Sequence, residues 1–355
     1  MIKFSCEKVF LQNAIAVTSR AVAQKSSIPA LEGLLIHADQ QLTISGYNMQ
    51  TGIRTNVFAN VVEGGDIVLN ARLFGDIIRR MPDDMITFTA DEKMMVHVSC
   101  GDADFDILGL SAADYPDLPE VEDEYAVSMQ QKVLRSMIEE VAFAVSTNES
   151  RPVHTGALFE IADMSLSMVA VDGFRLAFRR EKLEKLEGGA FSFVCPGSAL
   201  SEVKSICGDT EDLVTVTLGK RHILFEIGDT QLICRRLEGE FLDYKNAIPT
   251  TNPICIEVDN KTMIESLDRV SVVISEKLKS PVRCLFSQDR VYMSARTGNG
   301  EARDICPVRG DGQELEIGFN NRYLMDALRY APADTVKMQL NTGISPCIIT
   351  PVDDS

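Results

Sequence analysis

The sequence contains no apolar run approaching the roughly 20 residues that a membrane-spanning helix needs. Its first residues, MIKFSCEKVF, lack the charged-then-apolar order of a secretion signal. Both absences predict a soluble, unexported, cytoplasmic protein. The 9 cysteines include no C-x-x-C pair, and most sit inside apolar, strand-like runs. They read as small buried hydrophobes in a reducing compartment, not as disulfides or zinc ligands. The 4 histidines, His37, His97, His154 and His222, share no metal-ligand spacing. A phosphate-cradling G-x-x-x-x-G-K-[ST] loop, a G-x-G-x-x-G turn after a strand and a G-x-S-x-G elbow are all missing. No cofactor, no metal and no catalytic residue is therefore expected. One segment resists that conclusion: DADFD places Asp102, Asp104 and Asp106 on one strand face, as a cation site would. An EF-hand loop is excluded there, because Ile107 and Ala113 stand where glycine and glutamate are required. An exposed sheet edge is the simpler reading, and a metal-dependent hydrolase with an inter-domain site is the enzyme alternative.

Positive charge is also scarce. The formal net charge is −17, which by itself opposes nucleic-acid binding, since phosphates attract Lys and Arg. Only the placement of charges can reverse that expectation. A chain of 355 residues is too long for one ordinary core and suits two or three domains.

What the sequence does have is an internal repeat. KFSCEKVFLQNAIAVTSRAV from Lys3, YAVSMQQKVLRSMIEEVAFAVS from Tyr125 and ICIEVDNKTMIESLDRVSVVIS from Ile254 share one pattern. Each reads as a short alternating strand, a polar step and an apolar helical stripe. The stripes are Phe10, Ala14, Val17; then Leu134, Met137, Val141; then Met263, Leu267, Val270. Between them lies a second family: DIVLNARLFGDIIRRMPDDMITFTA from Asp66, FSFVCPGSALSEVKSICGDTEDLVTVTL from Phe191 and LEIGFNNRYLMDALRYAPADTVKMQL from Leu315. Each reads strand, short helix, turn, strand, with Asn70, Ser198 and Asn320 placed to cap the helices. Both families recur at roughly 125 residues. The chain is thus expected to be three α+β domains, 1–122, 123–250 and 251–355, each of two β-α-β-β-β halves with antiparallel sheets. The alternation in LTISGYNM, LSMVAVDG and VYMSARTG supports strands with one buried face. By the logic of the repeat, the third domain stops one strand short at Ser355.

Three such domains, with STNESRPVHTGALFE, VAVDGFRLAF, LEGEFLDYKNAIP, EIGFNNRYLMDAL and LNTGISP, resemble the bacterial DNA polymerase III β sliding clamps over essentially the whole chain. The G-x-R-L and E-G-x-F-x-D-Y segments are specific in combination. The resemblance implies the DNA-clamp fold, with helices lining the interior of a ring and antiparallel sheets outside. It implies a non-enzymatic processivity factor, a head-to-tail homodimer enclosing duplex DNA without reading its sequence. The implied partners are double-stranded DNA, the replicative polymerase subunit, the clamp loader and other proteins carrying clamp-binding motifs, with no membrane. A purely structural repeat protein without DNA is the third reading.

On that resemblance, Arg20, Lys25, Arg72, Arg79 and Arg80 form the strongest DNA-facing set, joined by Lys132, Arg135, Lys204 and Arg322. Acids concentrate elsewhere, although Asp76, Glu139, Glu140, Glu202, Asp268 and Asp326 share the helices. A peptide-binding cleft is implied at His154, Val171, Gly173, Phe174, Arg175, Leu176, Leu242, Ala247, Ile344 and Pro346. Arg175 is expected to hold a carbonyl or carboxylate of the peptide. His154 stands where the family carries an aliphatic residue. The dimer seam is implied at Phe105 and Ile107 against Val272 and Val273, with Arg72 and Lys93 pairing Glu301 and Asp304.

Overall fold

The computed structural model describes residues 1–122, 125–274, 280–311 and 313–352. The element order repeats as the sequence predicts. The first copy runs β1 (Ile2–Glu7), α1 (Lys8–Thr18), β2 (Gly33–Ala38), β3 (Leu42–Tyr47), β4 (Thr51–Val57), β5 (Asn60–Glu63), β6 (Gly65–Asn70), α2 (Ala71–Arg80), β7 (Met85–Ala90), β8 (Met95–Cys100) and β9 (Ala103–Leu108). The second runs β10 (Tyr125–Gln130), α3 (Gln131–Val141), β11 (Gly156–Ala162), β12 (Ser165–Val171), β13 (Leu176–Lys182), β14 (Lys185–Glu187), β15 (Phe191–Pro196), α4 (Gly197–Ile206), β16 (Leu213–Leu218), β17 (His222–Ile227) and β18 (Thr230–Arg235). A one-turn helix, α5 (Tyr244–Ala247), leads to the third. This copy runs β19 (Ile254–Asp259), α6 (Asn260–Ser271), β20 (Val282–Phe286), β21 (Arg290–Thr297), β22 (Gly300–Pro307), β23 (Arg309–Gly310), β24 (Leu315–Phe319), α7 (Asn321–Arg329), β25 (Thr335–Leu340) and β26 (Ile348–Pro351).

Compactness does not follow the repeat. The chain forms two compact units: residues 1–138, 146–168 and 178–239 in one, residues 139–145, 169–177 and 240–355 in the other. The cause is strand pairing. In the first unit β18 pairs antiparallel with β4, Leu232 opposite Ile53. That pairing fuses sheets of the first two copies into nine strands, β14-β10-β16-β17-β18-β4-β3-β2-β6. An edge strand left unpaired would template aggregation, and here two edges satisfy each other. A five-stranded sheet, β5-β1-β7-β8-β9, completes the first copy. The second unit carries β23-β19-β25-β26 and β22-β21-β20-β24.

Helices pack on one face of these sheets, with a correction at α1. Its buried residues are Leu11, Ala14, Ile15 and Thr18, whereas Phe10 is exposed. The 3–4 stripe therefore runs from Leu11; Phe10 instead meets Phe58 edge-on at 6.1 Å. The stripes of α3 and α6 lie as expected, with Leu134, Met137, Val141, Met263, Leu267 and Val270 all buried. Phe4 stacks on Phe88 at 4.5 Å and Phe74 meets Phe88 edge-on at 6.2 Å, anchoring the first core. Asn70 caps α2 through Leu73 N–H at 2.9 Å, and Asn320 caps α7 through Arg322 N–H at 3.0 Å. Ser198 does not cap: α4 begins at Gly197, and Pro196 holds the cap position with no side-chain bond.

The repeat also reuses a close backbone approach. Gly33 opens β2 and Gly156 opens β11. A Cβ at Gly33 would stand 2.7 Å from the Leu69 carbonyl oxygen, and one at Gly156 would stand 2.2 Å from that of Cys195. Only glycine lets each strand lie against its neighbour there. At the β6 edge of the nine-stranded sheet, Leu110 exchanges backbone hydrogen bonds with Val68 at 2.8 and 3.0 Å. The following segment lays Tyr115 and Leu118 over Leu31, Tyr47, Val68 and Ile233.

Candidate functional site

The first group of predicted residues is cationic. Arg72, Arg79 and Arg80 project from α2 on its exposed side, opposite the buried Phe74, Ile77 and Ile78. Arg79 and Arg80 both reach Asp76, Arg80 at 3.4 Å, and Arg80 also donates to the Asp76 carbonyl at 2.9 Å. Their charge lies at the helix C-terminus, where it also complements the helix dipole. Arg20, in the turn after α1, pairs with Glu202 of α4 at 3.0 Å. Lys132 of α3 pairs with Glu211 at 2.7 Å, and that contact holds the Glu211 carboxyl below its ordinary range. Among the described residues Lys25, Arg72, Arg135, Lys204 and Arg322 have no ion pair; all but the half-buried Lys204 are exposed. The cation set thus divides into neutralised and unpaired members, a distinction that spacing alone does not reveal.

The second group includes the β12–β13 turn. Asp172 accepts from the N–H groups of Phe174 and Arg175 at 3.0 and 3.1 Å, tying an Asx turn. Gly173 sits inside it at φ +93°, a conformation that favours glycine. Phe174 is 83% exposed and lies over Tyr323 with centroids 5.9 Å apart. Val171 is buried, Leu176 half-buried, and Leu242, Ala247, Ile344 and Pro346 are exposed. Ile344 is 98% exposed.

Arg175 differs from expectation. Its Nε donates to Asp172 at 2.9 Å and its Nη1 to Asp326 at 2.6 Å. The guanidinium lies 4.5 Å from the Tyr323 ring centroid and 5.3 Å from that of Phe143. Phe143 in turn stacks on Tyr330 at 5.0 Å. With two carboxylates and two rings around it, Arg175 pins the turn to α7. The sequence reading missed Phe143, Asp172, Tyr323, Asp326 and Tyr330. The signal was present: Tyr323 and Asp326 of α7 and Tyr330 just after it follow i, i+3, i+7. Asp326 is held within the chain by Arg175.

His154 belongs to the first unit, whereas the other predicted cleft residues belong to the second. It is buried in a single turn, Pro152–Thr155, and its carbonyl accepts from Ser146 N–H at 2.9 Å. Burial, aided by Arg151, lowers its pKa, so the ring is neutral near pH 7.

The predicted seam residues occupy two sheet edges. β9 is the last strand of its sheet, with Phe105 and Leu108 exposed and Ile107 leaning on the first core. In the second unit β22 is also an edge strand, with Ile305 exposed; Val272, after α6, is 82% exposed and Val273 half-buried on the core. Asp304 is engaged within the chain by Arg269 at 2.6 Å and Glu301 by Arg303 at 2.7 Å, so the expected pairing of Arg72 and Lys93 with these acids meets competition. On β9, Asp106 pairs with His97 at 2.9 Å. Among the described residues no group of His, Cys, Asp and Glu is arranged to hold a metal ion.

Tandem copies built from β-α-β-β-β halves, the last reaching only β26 among the described residues, together with antiparallel sheets and apolar edge strands define the sliding-clamp class of fold. Solved structures agree. The DNA polymerase sliding clamp of Bacillus subtilis superposes with a TM-score of 0.94 at 26% identity, covering 100% of this chain and 96% of its own. A putative DNA polymerase III beta subunit of Eubacterium rectale gives 0.94 at 26% identity, covering 99% and 96%. The beta sliding clamp of Staphylococcus epidermidis is 29% identical over 365 residues, 100% of this chain and 97% of that protein. Family models match consecutively: the DNA polymerase III beta subunit N-terminal domain at residues 2–119, its central domain at 128–243 and its C-terminal domain at 245–355. The chain belongs to the DNA polymerase III beta subunit family, non-catalytic sliding clamps that serve as processivity factors in DNA replication. The metal-dependent hydrolase alternative, which rested on Asp102, Asp104 and Asp106, is not supported.

Proposed function

We propose that two copies of this chain close head-to-tail into a ring around duplex DNA and dock short peptides of replication proteins beside the Asp172–Arg175 turn. The carrying observation is a pair of apolar strand edges in one chain: Phe105 and Leu108 on β9, Ile305 on β22 with Val272 nearby. Edges of this kind call for a partner, and edges from the first and last copies suit heterologous closure. Phe105 and Ile107 meet Val272 and Val273 in this reading. Domains 1–122, 123–250 and 251–355 are its repeating parts; the break between family matches at 119/128 supports the first boundary, and the second break, at 243/245, falls a few residues before the other.

Helices line the interior, and the unpaired cations Lys25, Arg72, Arg135, Lys204 and Arg322 make the principal phosphate contacts. Arg20, Arg79, Arg80 and Lys132 contribute less, because carboxylates already hold them. Weak backbone contact without base readout permits sliding; retention is topological. The peptide cleft takes apolar anchors against Val171, Phe174, Leu176, Leu242, Ala247, Ile344 and Pro346, with Gly173 shaping the turn. Arg175 acts by positioning the turn. Its partners are the replicative polymerase subunit, the clamp loader and proteins with related peptide motifs, in a cytoplasmic setting. Among the described residues no helix is long and apolar enough to cross a membrane.

Retention on nicked circular DNA, loaded by a clamp loader and followed by linearisation, tests this. The expected result is a dimer that stays on the circle and runs off the linear form. An Ile107→Asp variant should sediment as monomer and fail to be retained. Retention that survives linearisation, or a monomeric parent chain, refutes the ring.

A further inference from the structure

Three dipeptides of the chain can close on themselves: Asn299–Gly300, Asp172–Gly173 and Asp311–Gly312. In each, the backbone nitrogen of the glycine can attack the carbonyl carbon of the preceding side chain and form a five-membered imide. Glycine permits this because it has no side chain to shield the nitrogen and it reaches backbone angles closed to other residues. What separates the three is how firmly each side chain is held.

Asp172 is held on both oxygens. It accepts from Phe174 N–H, Arg175 N–H and Arg175 Nε at 3.0, 3.1 and 2.9 Å. Asp311 accepts from Cys255 N–H and Gln313 N–H, each at 3.1 Å. Both are carboxylates as well, which are poor electrophiles. Asn48, a turn asparagine without a following glycine, is held in the same way: its Oδ1 accepts from Gln50 N–H and Thr51 N–H at 3.0 and 2.8 Å.

Asn299 differs on each count. With Gly298 it forms the two-residue turn between β21 and β22, across which Thr297 pairs with Gly300. It is exposed, and among the described residues its side-chain amide makes no hydrogen bond. Only its backbone is tied. Its N–H donates to Thr297 Oγ1 at 3.1 Å, and that hydroxyl donates to the Val273 carbonyl at 2.9 Å. Gly300 lies at φ +149°, and a Cβ there would meet only Val273 Cγ1, at 3.9 Å. The attacking residue is therefore uncrowded and the attacked side chain is free to turn toward it.

We propose that Asn299 is a self-modifying position, deamidated through a cyclic imide with Gly300, and that the product releases the start of β22. The Gly300 nitrogen gives its proton to solvent base and bonds to Asn299 Cγ, and the side-chain nitrogen leaves as ammonia. Water then opens the imide at either carbonyl, leaving aspartate or isoaspartate. Isoaspartate carries the main chain through one extra carbon, which a two-residue turn cannot take up while Thr297 still pairs with Gly300. β22 is an edge strand held by β21 alone, so its first residues are the ones freed.

The full chain is incubated in mildly alkaline buffer, digested with trypsin and mapped by mass spectrometry. The peptide Thr297–Arg303 should gain the mass difference between an amide and an acid. It should split into two forms, one co-eluting with the peptide of Asn299→Asp and one labelled by an isoaspartyl methyltransferase. Conversion should be at least about tenfold faster than at any other asparagine. Asn299→Gln should abolish it, because a ring one atom larger closes more slowly. Backbone amides of residues 300–302 should exchange hydrogen faster in the aged chain, and not in Asn299→Gln treated alike. A peptide still unmodified when the same free synthetic peptide has fully converted overturns the site, as does equal conversion at Asn48. Isoaspartate with unaltered exchange overturns the release of β22.

Discussion

Replacing Arg175 with methionine removes the guanidinium but keeps an apolar stem between the rings of Phe143 and Tyr323. The arginine side chain is 15% exposed, and its partners Asp172 and Asp326 are 11% and 22% exposed. Removing one member of a buried ion pair strands the other, at ~3–5 kcal/mol. The residual exposure of Asp326 reduces that, while losing the stacked cation adds roughly 0.5–2 kcal/mol. The expected loss is therefore about 3 kcal/mol, confined to the second unit. Arg175→Lys should recover only part of it, because an ammonium does not fork to two carboxylates across an aromatic stack. A chain of two units need not unfold in one step, so the measurement is hydrogen exchange under increasing urea. Amides of α7 and of residues 172–176 should lose protection, while those of β7 and β8 should not change. Pairing Arg175→Met with Asp326→Asn should be less damaging than the sum of the singles by roughly 1–3 kcal/mol. Because Arg175 acts through the turn, Asp326→Asn should also weaken docking of a clamp-binding peptide. If Arg175→Met lies within about 0.5 kcal/mol of the parent and α7 protection is unaltered, the reasoning fails.

Two further outcomes follow from local geometry. A Cβ on Gly46 would stand 2.1 Å from the Thr18 carbonyl oxygen, so Gly46→Ala should force α1 off β3 and cost ~1–3 kcal/mol in urea unfolding. Gly101, at φ +58° with open space around it, should cost only ~1–2 kcal/mol as alanine, from backbone strain alone. For His154, burial lowers the folded-state pKa, so the folded chain binds fewer protons than the unfolded one. Its share of stability is complete above the unfolded value of about 6.5 and is lost as pH falls through the folded value. His154→Leu should flatten the decline of melting temperature on acidification below about pH 6.5, and an unchanged slope would count against a buried neutral ring.

The repeat was legible because it is written in periodicity. An alternating strand followed by a 3–4 stripe survives sequence divergence, and three occurrences reinforce one another. Asn70 and Asn320 were legible as caps for the same reason, since an amide before an apolar run has few other uses. Phe10 was misread because it is as apolar as Leu11, and a one-residue shift of the stripe changes little in a helix whose exposed side carries Val9 and Phe10. Only tertiary contact separates the two choices.

The contacts of the candidate residues were not legible in the sequence. Arg175 stands in a recognisable G-x-R-L segment, and a surface arginine beside a predicted cleft invites the reading of a ligand-binding group. What redirects it is Asp326, 151 positions away in sequence, together with rings from α7 and from Phe143. The same long-range logic decides the cations. Arg20 and Arg72 look alike in sequence, yet Arg20 meets Glu202, 182 positions distant, while Arg72 has no ion pair among the described residues. A salt slope should therefore separate them. Removing a phosphate contact lowers the slope of log K against log salt by about 1. Arg72→Ala should show that full decrement and Arg20→Ala less of it, because its charge is partly spent on Glu202. Glu202→Gln should then raise the slope of the parent by releasing Arg20. Equal slopes for Arg72→Ala and Arg20→Ala would mean that the carboxylate partner yields to phosphate at no free-energy difference, and that division of the cations would fall.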